Sequence, residues 1–128
     1  MRFPVVTRYS DYDSKGHVNN AVYLTYFEAA KHALWTGVWK RDPDPPFVVA
    51  EANVRYASPA HIGDPLEIEI TTGEIRTKSW TWRFTIRDAR DSRLVADGMT
   101  VQVMYDYTSR VTMPVPDDVR KLLESVRA

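Results

Sequence analysis

Between Ala21 and about Gly37, Tyr23, Tyr26, Phe27, Ala30, Ala33 and Leu34 recur three and four residues apart, the spacing of one helical face. Thr25, Glu28 and His32 fall opposite them, so the stretch predicts an amphipathic helix. Asn19 or Asn20 suits its start, and Gly37 followed by Arg41-Asp42-Pro43-Asp44-Pro45-Pro46 suits its end. Beyond those prolines the period falls to two, and Phe47 to Tyr56 reads as a strand. Leu66, Ile68 and Ile70 then alternate with Glu67, Glu69 and Thr71, and Trp80, Trp82, Phe84 and Ile86 alternate with Thr81, Arg83 and Thr85. Each of these strands has one apolar and one polar face. In the last long strand Leu94 and Ala96 share one parity while Met99, Val101, Val103 and Tyr105 take the other, so a bulge near Asp97-Gly98 is expected to turn both sets inward. Met1 to Val6 reads as a first strand, and Pro114 to Arg127 predicts a short closing helix.

The order is therefore strand, polar loop, one buried helix, then four strands joined mostly as hairpins. That is an α+β pattern in which a five-stranded antiparallel sheet wraps around one long central helix. A length of 128 residues, without repeat or linker, fits a single domain over residues 1–128. A five-stranded sheet with a long edge and four tryptophans is expected to cover its edge or open face with a second copy, giving a homodimer or homotetramer.

Composition narrows the function. No apolar run approaches the roughly 20 residues of a membrane span, and the N-terminus lacks a signal-peptide pattern, so no membrane partner and a cytoplasmic location are expected. There is no cysteine, which removes disulfides, thiolate nucleophiles and cysteine-ligated metals and leaves oxygen and imidazole groups for chemistry. Seventeen basic residues balance seventeen acidic ones, which gives no electrostatic footprint for nucleic acid. Locally, Arg76, Lys78, Arg83, Arg87, Arg90 and Arg93 outnumber Asp88 and Asp91, an excess that could serve a phosphorylated small ligand or simply form a solvated strand face.

Chemistry-bearing side chains are densest from Arg8 to Asn20, directly before the helix. Asp11, Asp13 and Gly16 begin a calcium loop, but Lys15 replaces an oxygen ligand and Val22 stands where the bidentate Glu belongs. An Asp-x-Asp phosphatase would need an alternating βα chain and further acidic magnesium ligands. A metal held by Asp13 and His17 lacks an evident third ligand, so none is expected. A purely structural loop also fits the residues, with Asp13 in an Asx-turn and Asn20 capping the helix.

The pattern Asp11-x-Asp13-x-x-Gly16-His17-Val18-Asn19-Asn20-x-x-Tyr23-x-x-x-Phe27-Glu28-x-Ala30 closely resembles the helix-opening motif of hotdog-fold acyl-CoA thioesterases of the 4-hydroxybenzoyl-CoA thioesterase type. The likeness continues through Phe47-Val48-Val49-Ala50, Asn53-Val54-Arg55-Tyr56, Pro59-Ala60, Gly63-Asp64, Lys78-Ser79 and Pro114-Val115-Pro116. The resemblance implies hydrolysis of an acyl-CoA or acyl-ACP thioester to the free acid and thiol. No cofactor is implied beyond the coenzyme A carried by the substrate. It places the nucleophile or general base on Asp13 and the oxyanion hole on the backbone N–H of Asn20, where a helix start offers free N–H groups and partial positive charge. In the similar plant acyl-ACP thioesterases a histidine acts with the aspartate and an asparagine; His17 matches the first, but Lys15 stands at the asparagine position. Glu28 has a matched place in the motif and is read as structural. By the same likeness Arg76 and Lys78 meet the nucleotide end of CoA, and Tyr23, Phe27 and Trp80 are candidates for the acyl side.

A hotdog enoyl-CoA hydratase or dehydratase is the alternative enzyme. The hydratase pattern Asp-x-Asn-Pro-x-His and the dehydratase motif His-Phe-Pro-Gly are both absent. A non-catalytic acyl-CoA-binding module is the alternative without chemistry, and Asp13 beside a helix start speaks against it.

Overall fold

The computed structural model describes residues 1–127. Strands β1 (Arg2–Val5), β2 (Phe47–Tyr56), β3 (Leu66–Ile75), β4 (Ser79–Asp88) and β5 (Leu94–Asp106) form one antiparallel sheet in the order β1-β3-β4-β5-β2. A two-residue strand, β6 (Val111–Thr112), adds to β5. The sheet curls around helix α1 (Val22–His32), the hotdog arrangement, and helix α2 (Asp117–Glu124) closes the chain. Tyr23, Tyr26, Phe27, Ala30 and Leu34 are buried as the helical period requires, and Phe27 stacks on Phe84 with ring centroids 4.4 Å apart. The helical path continues as a π turn over Ala33–Val38, in which the Trp39 N–H reaches back five residues to Leu34 O. This wider turn lets two tryptophans meet the sheet: Trp35 lies parallel to Trp80 and Trp39 tilts against Trp82.

The bulge expected near Asp97-Gly98 falls two residues earlier, at Val95, and does not turn both apolar sets inward. The register of β5 runs unbroken past Asp97 and Gly98 against both β4 and β2; the shifts lie at Val95, between Leu94 opposite Arg87 and Ala96 opposite Ile86, and in β2 between Val49 and Glu51. Ala96, Thr100, Gln102 and Met104 are the buried inward set, so Met99, Val101, Val103 and Tyr105 stand half-buried on the outer face. The reason is local packing. A Cβ at Gly98 would lie 2.1 Å from Asn53 O and 2.9 Å from the Phe27 ring, so only glycine lets β2 and the helix approach β5 at this point. In β2 the shift reconciles the two apolar parities, placing Phe47 and Val49 on the same side as Ala52, Val54 and Tyr56.

β2 is the long open edge of the sheet. Its residues pair with β5 on one side only and none of them is fully buried, whereas the other edge, β1, is four residues long.

Candidate active site

The loop before α1 is a tight hairpin pinned at its base by the Tyr12–Val18 bridge. The Asp13 N–H donates to His17 O (2.8 Å) and the Gly16 N–H to Asp13 O (3.0 Å). Gly16 adopts φ +73°, the left-handed conformation that glycine accepts without steric cost. Asp13 Oδ1 receives the N–H groups of Lys15 (2.9 Å) and His17 (3.1 Å), while Oδ2 has no donor among the described residues. The His17 N–H, then that of Lys15, hold the Asp13 carboxyl below its ordinary range. One oxygen is thus fixed and the other is free. Asp13 therefore does form the Asx-turn that a structural loop would need, and still presents an ionised carboxylate.

Asp11, two residues earlier, is buried and closed. Burial alone would raise its pKa, but the Arg8 N–H (2.8 Å), the Tyr26 hydroxyl (2.9 Å) and the Arg8 guanidinium outweigh it and lower the net value. Its oxygens are consumed in anchoring the loop to α1.

At the helix start Asn19 supplies both caps: Oδ1 accepts from the Ala21 N–H and the backbone O from the Val22 N–H, each at 3.0 Å. The Asn20 N–H has no acceptor among the described residues. Its carbonyl is held by the Tyr56 hydroxyl, which donates to Asn20 O at 2.9 Å. A cavity of about 240 Å³ lies here, lined by Asp13, His17, Asn20, Tyr23, Tyr56 and Ser58 among others. The structure thus brings together four of the residues singled out in the sequence: Asp13, His17, Asn20 and Tyr23. Phe27 is fully buried between helix and sheet and does not line this cavity.

Tyr56 and Ser58 were not legible as site residues. Nothing in the alternation of β2 separates Tyr56 from its neighbours until the strand end is folded over Asn20. Ser58 is fixed by Arg93, whose Nη1 donates to Ser58 Oγ (2.6 Å) and Pro59 O (2.9 Å). Tyr56→Phe removes one hydrogen bond and is expected to cost about 1 kcal/mol of stability. A severalfold fall in turnover is expected with it, because the peptide bearing the Asn20 N–H loses its tether; steady-state kinetics beside urea denaturation checks both.

His17 packs edge-on against His61, with ring centroids 4.6 Å apart at 86°. His61 Nδ1 stands 3.6 Å from Asp64, and Arg90 bridges Asp64 and Asp88 at 2.7 Å each. Among the described residues no group of three or more His, Asp or Glu side chains forms a metal site.

The basic stretch separates. Arg90 and Arg93 are committed to Asp64 and Asp88 near the loop, whereas Arg76 and Lys78 sit in the β3–β4 turn, with Arg76 beside Glu74 and Lys78 beside Thr112. The register places Ser79 opposite Val103, and Val103 opposite Val48, eight residues along β2 from Tyr56. Within one chain the Arg76–Lys78 turn is therefore about 25 Å from the Asp13 end of the sheet.

The family model described as "Thioesterase-like superfamily" matches residues 7–123, and the chain belongs to that family. It is 27% identical over 133 residues to the long-chain acyl-CoA thioesterase FadM of Escherichia coli (strain K12), covering 98% of each chain. A thioesterase from Thermus thermophilus, complexed with coenzyme A and Zn, superposes with a TM-score of 0.83 at 28% identity, covering 98% of this chain and 92% of that one. A 1,4-dihydroxy-2-naphthoyl-CoA thioesterase from Synechocystis, 19% identical with a TM-score of 0.86 over 98% and 96% of the two chains, shares the fold.

Proposed function

We propose that this protein hydrolyses acyl-CoA thioesters, with Asp13 as nucleophile or general base and the Asn20 N–H as oxyanion donor. The observation that carries the reading is the meeting of a half-free, ionised carboxylate with an unused backbone N–H on one cavity. A thioester suits this arrangement: its carbonyl is electrophilic and its thiolate leaves readily, so a carboxylate suffices without a hydrogen-bonded base partner. Negative charge that develops on the carbonyl oxygen meets the Asn20 N–H and the positive end of α1. His17 shapes the wall beside Asp13, and Tyr23 faces the same cavity. Coenzyme A enters as part of the substrate, which together with the absence of cysteine favours a cytoplasmic setting.

Two copies complete the site in this reading. Pairing β2 with β2 of a second copy, antiparallel about a two-fold axis, satisfies the open edge and brings the partner's Phe47 end beside Tyr56. The partner's Arg76 and Lys78 then arrive at the Asp13 end, where they can meet the CoA phosphates. Free-thiol release across acyl-CoAs tests the activity, and light scattering is expected to give at least twice the monomer mass. In the same assay the double variant Arg76→Ala, Lys78→Ala is expected to raise KM severalfold at low salt with kcat nearly intact, and added salt should narrow the difference. An unchanged KM would return both residues to the solvated face.

A further inference from the structure

Lys31 is only 3% exposed, although lysine is almost never buried without full pairing. Its Nζ stands 2.5 Å from Glu28 Oε1, yet it makes no hydrogen bond of acceptable geometry among the described residues. Glu28 itself is mostly exposed. The helical pattern read Glu28 as surface and did not mark Lys31 at all.

Leu24, Glu28, Lys31 and Trp35 recur at i, i+4, i+7 and i+11 and share one face of the helical path. Trp35 meets Phe47 of β2 with centroids 5.1 Å apart, so this face looks toward β2. Phe47 and Val54 pack on the core, but other helix-side residues of β2 are uncovered: Val49 is 44% exposed and Tyr56 51%, and Leu24 on α1 is 40% exposed. Leu24 on α1 and Val49 on β2 thus fall, by their positions along the two elements, between the Asp13 cavity and a second cavity of about 180 Å³, lined by Glu28, Lys31, His32, Trp35 and Phe47 among others. Eleven residues separate Asn20 from Lys31, about 16 Å of helix. With C–C bonds near 1.5 Å, that is the reach of roughly a dozen extended carbons.

We infer that the acyl chain runs along α1 past Leu24 from the Asp13 cavity to the second cavity and that the Lys31–Glu28 pair reads a hydroxyl at its far end, an assignment that rests on the thioesterase reading above. A hydroxyl accepts from Lys31 Nζ and donates to Glu28, completing both groups without adding charge. A terminal carboxylate would face the Glu28 carboxylate, and a terminal methyl would leave the buried ammonium as it is. Polar completion of this kind discriminates, because the analogue lacking the hydroxyl leaves a buried donor unmet.

The test compares ω-hydroxydodecanoyl-CoA, dodecanoyl-CoA, dodecanedioyl-CoA and hexanoyl-CoA, the last too short to reach Lys31. The wild-type protein is expected to favour the hydroxylated chain over dodecanoyl-CoA by about tenfold in kcat/KM, chiefly through KM, and to disfavour the dicarboxylic chain. Lys31→Met, which keeps the buried stem, is expected to bring the ratio of hydroxylated to plain chain to about one or below. Equal use of the two chains by the wild-type protein, or an unchanged ratio in a folded Lys31→Met, overturns the inference and leaves thioester hydrolysis standing. Preference for the dicarboxylic chain overturns the neutral-hydroxyl assignment. Failure to hydrolyse any of the four thioesters, hexanoyl-CoA included, overturns both readings.

Discussion

Asp13→Asn is expected to leave a folded protein that still binds acyl-CoA but turns it over more slowly by about 10²-fold or more, with kcat and kcat/KM falling together. The amide keeps the size of the side chain and an oxygen for the Lys15 and His17 N–H groups, so the hairpin has no reason to open. What is lost is the charge and basicity of the carboxylate. The pH profile adds an independent check. Asp13 is held below the ordinary carboxylate range by the His17 and Lys15 N–H groups, so it stays ionised as pH falls to that range. The sign follows for stability too: a depressed folded pKa contributes above the unfolded value and is lost as pH falls through the folded one. The acid limb of kcat/KM is therefore expected below the ordinary carboxylate range, whereas a limb well above that range would take control away from Asp13. Wild-type turnover by folded Asp13→Asn would remove this residue from the mechanism. Single-turnover hydrolysis in heavy-oxygen water then separates the two roles, since label recovered in the Asp13 carboxylate requires direct attack.

Gly98→Ala is expected to destabilise the protein by about 3 kcal/mol, the upper end of what overpacking costs. The added carbon would meet backbone, Asn53 O at 2.1 Å, which cannot turn aside as a side-chain tip could. Relief requires β2 to draw away from β5 and Phe27 to lose its stacking on Phe84, and β2 carries Tyr56 to the candidate active site. Gly73→Ala is the comparison. Its nearest neighbour would be the Arg83 side chain at 3.2 Å, which is exposed and free to move, so the cost is expected to stay below about 1 kcal/mol. Urea midpoints of the two variants decide the matter, and equal midpoints would show that β2 and β5 can separate without penalty.

Much of the fold is legible in the order of residues alone. Periodicity marks α1 and the inward faces of β3 and β4, because a helix or strand that buries one face must repeat its apolar residues at its own geometric period. The motif from Asp11 to Asn20 likewise marks the loop, since hairpin and helix cap are built from contacts between residues close in the chain. Long-range packing settles the rest. The facing of β5 follows from the extra residue at Val95 and from the approach of Asn53 and Phe27 at Gly98, neither of which the alternation of apolar residues places. The roles of Tyr56, Ser58 and Arg93 arise from contacts with groups 34 to 36 residues away in the chain. Lys31 is buried against its own polarity because α1 turns that face toward β2, and the separation of Arg76 and Lys78 from Asp13 is a matter of strand register. Local pattern fixes which groups are available, while tertiary contacts choose which of them meet, because pairing across the sheet depends on the summed fit of many side chains rather than on any one segment.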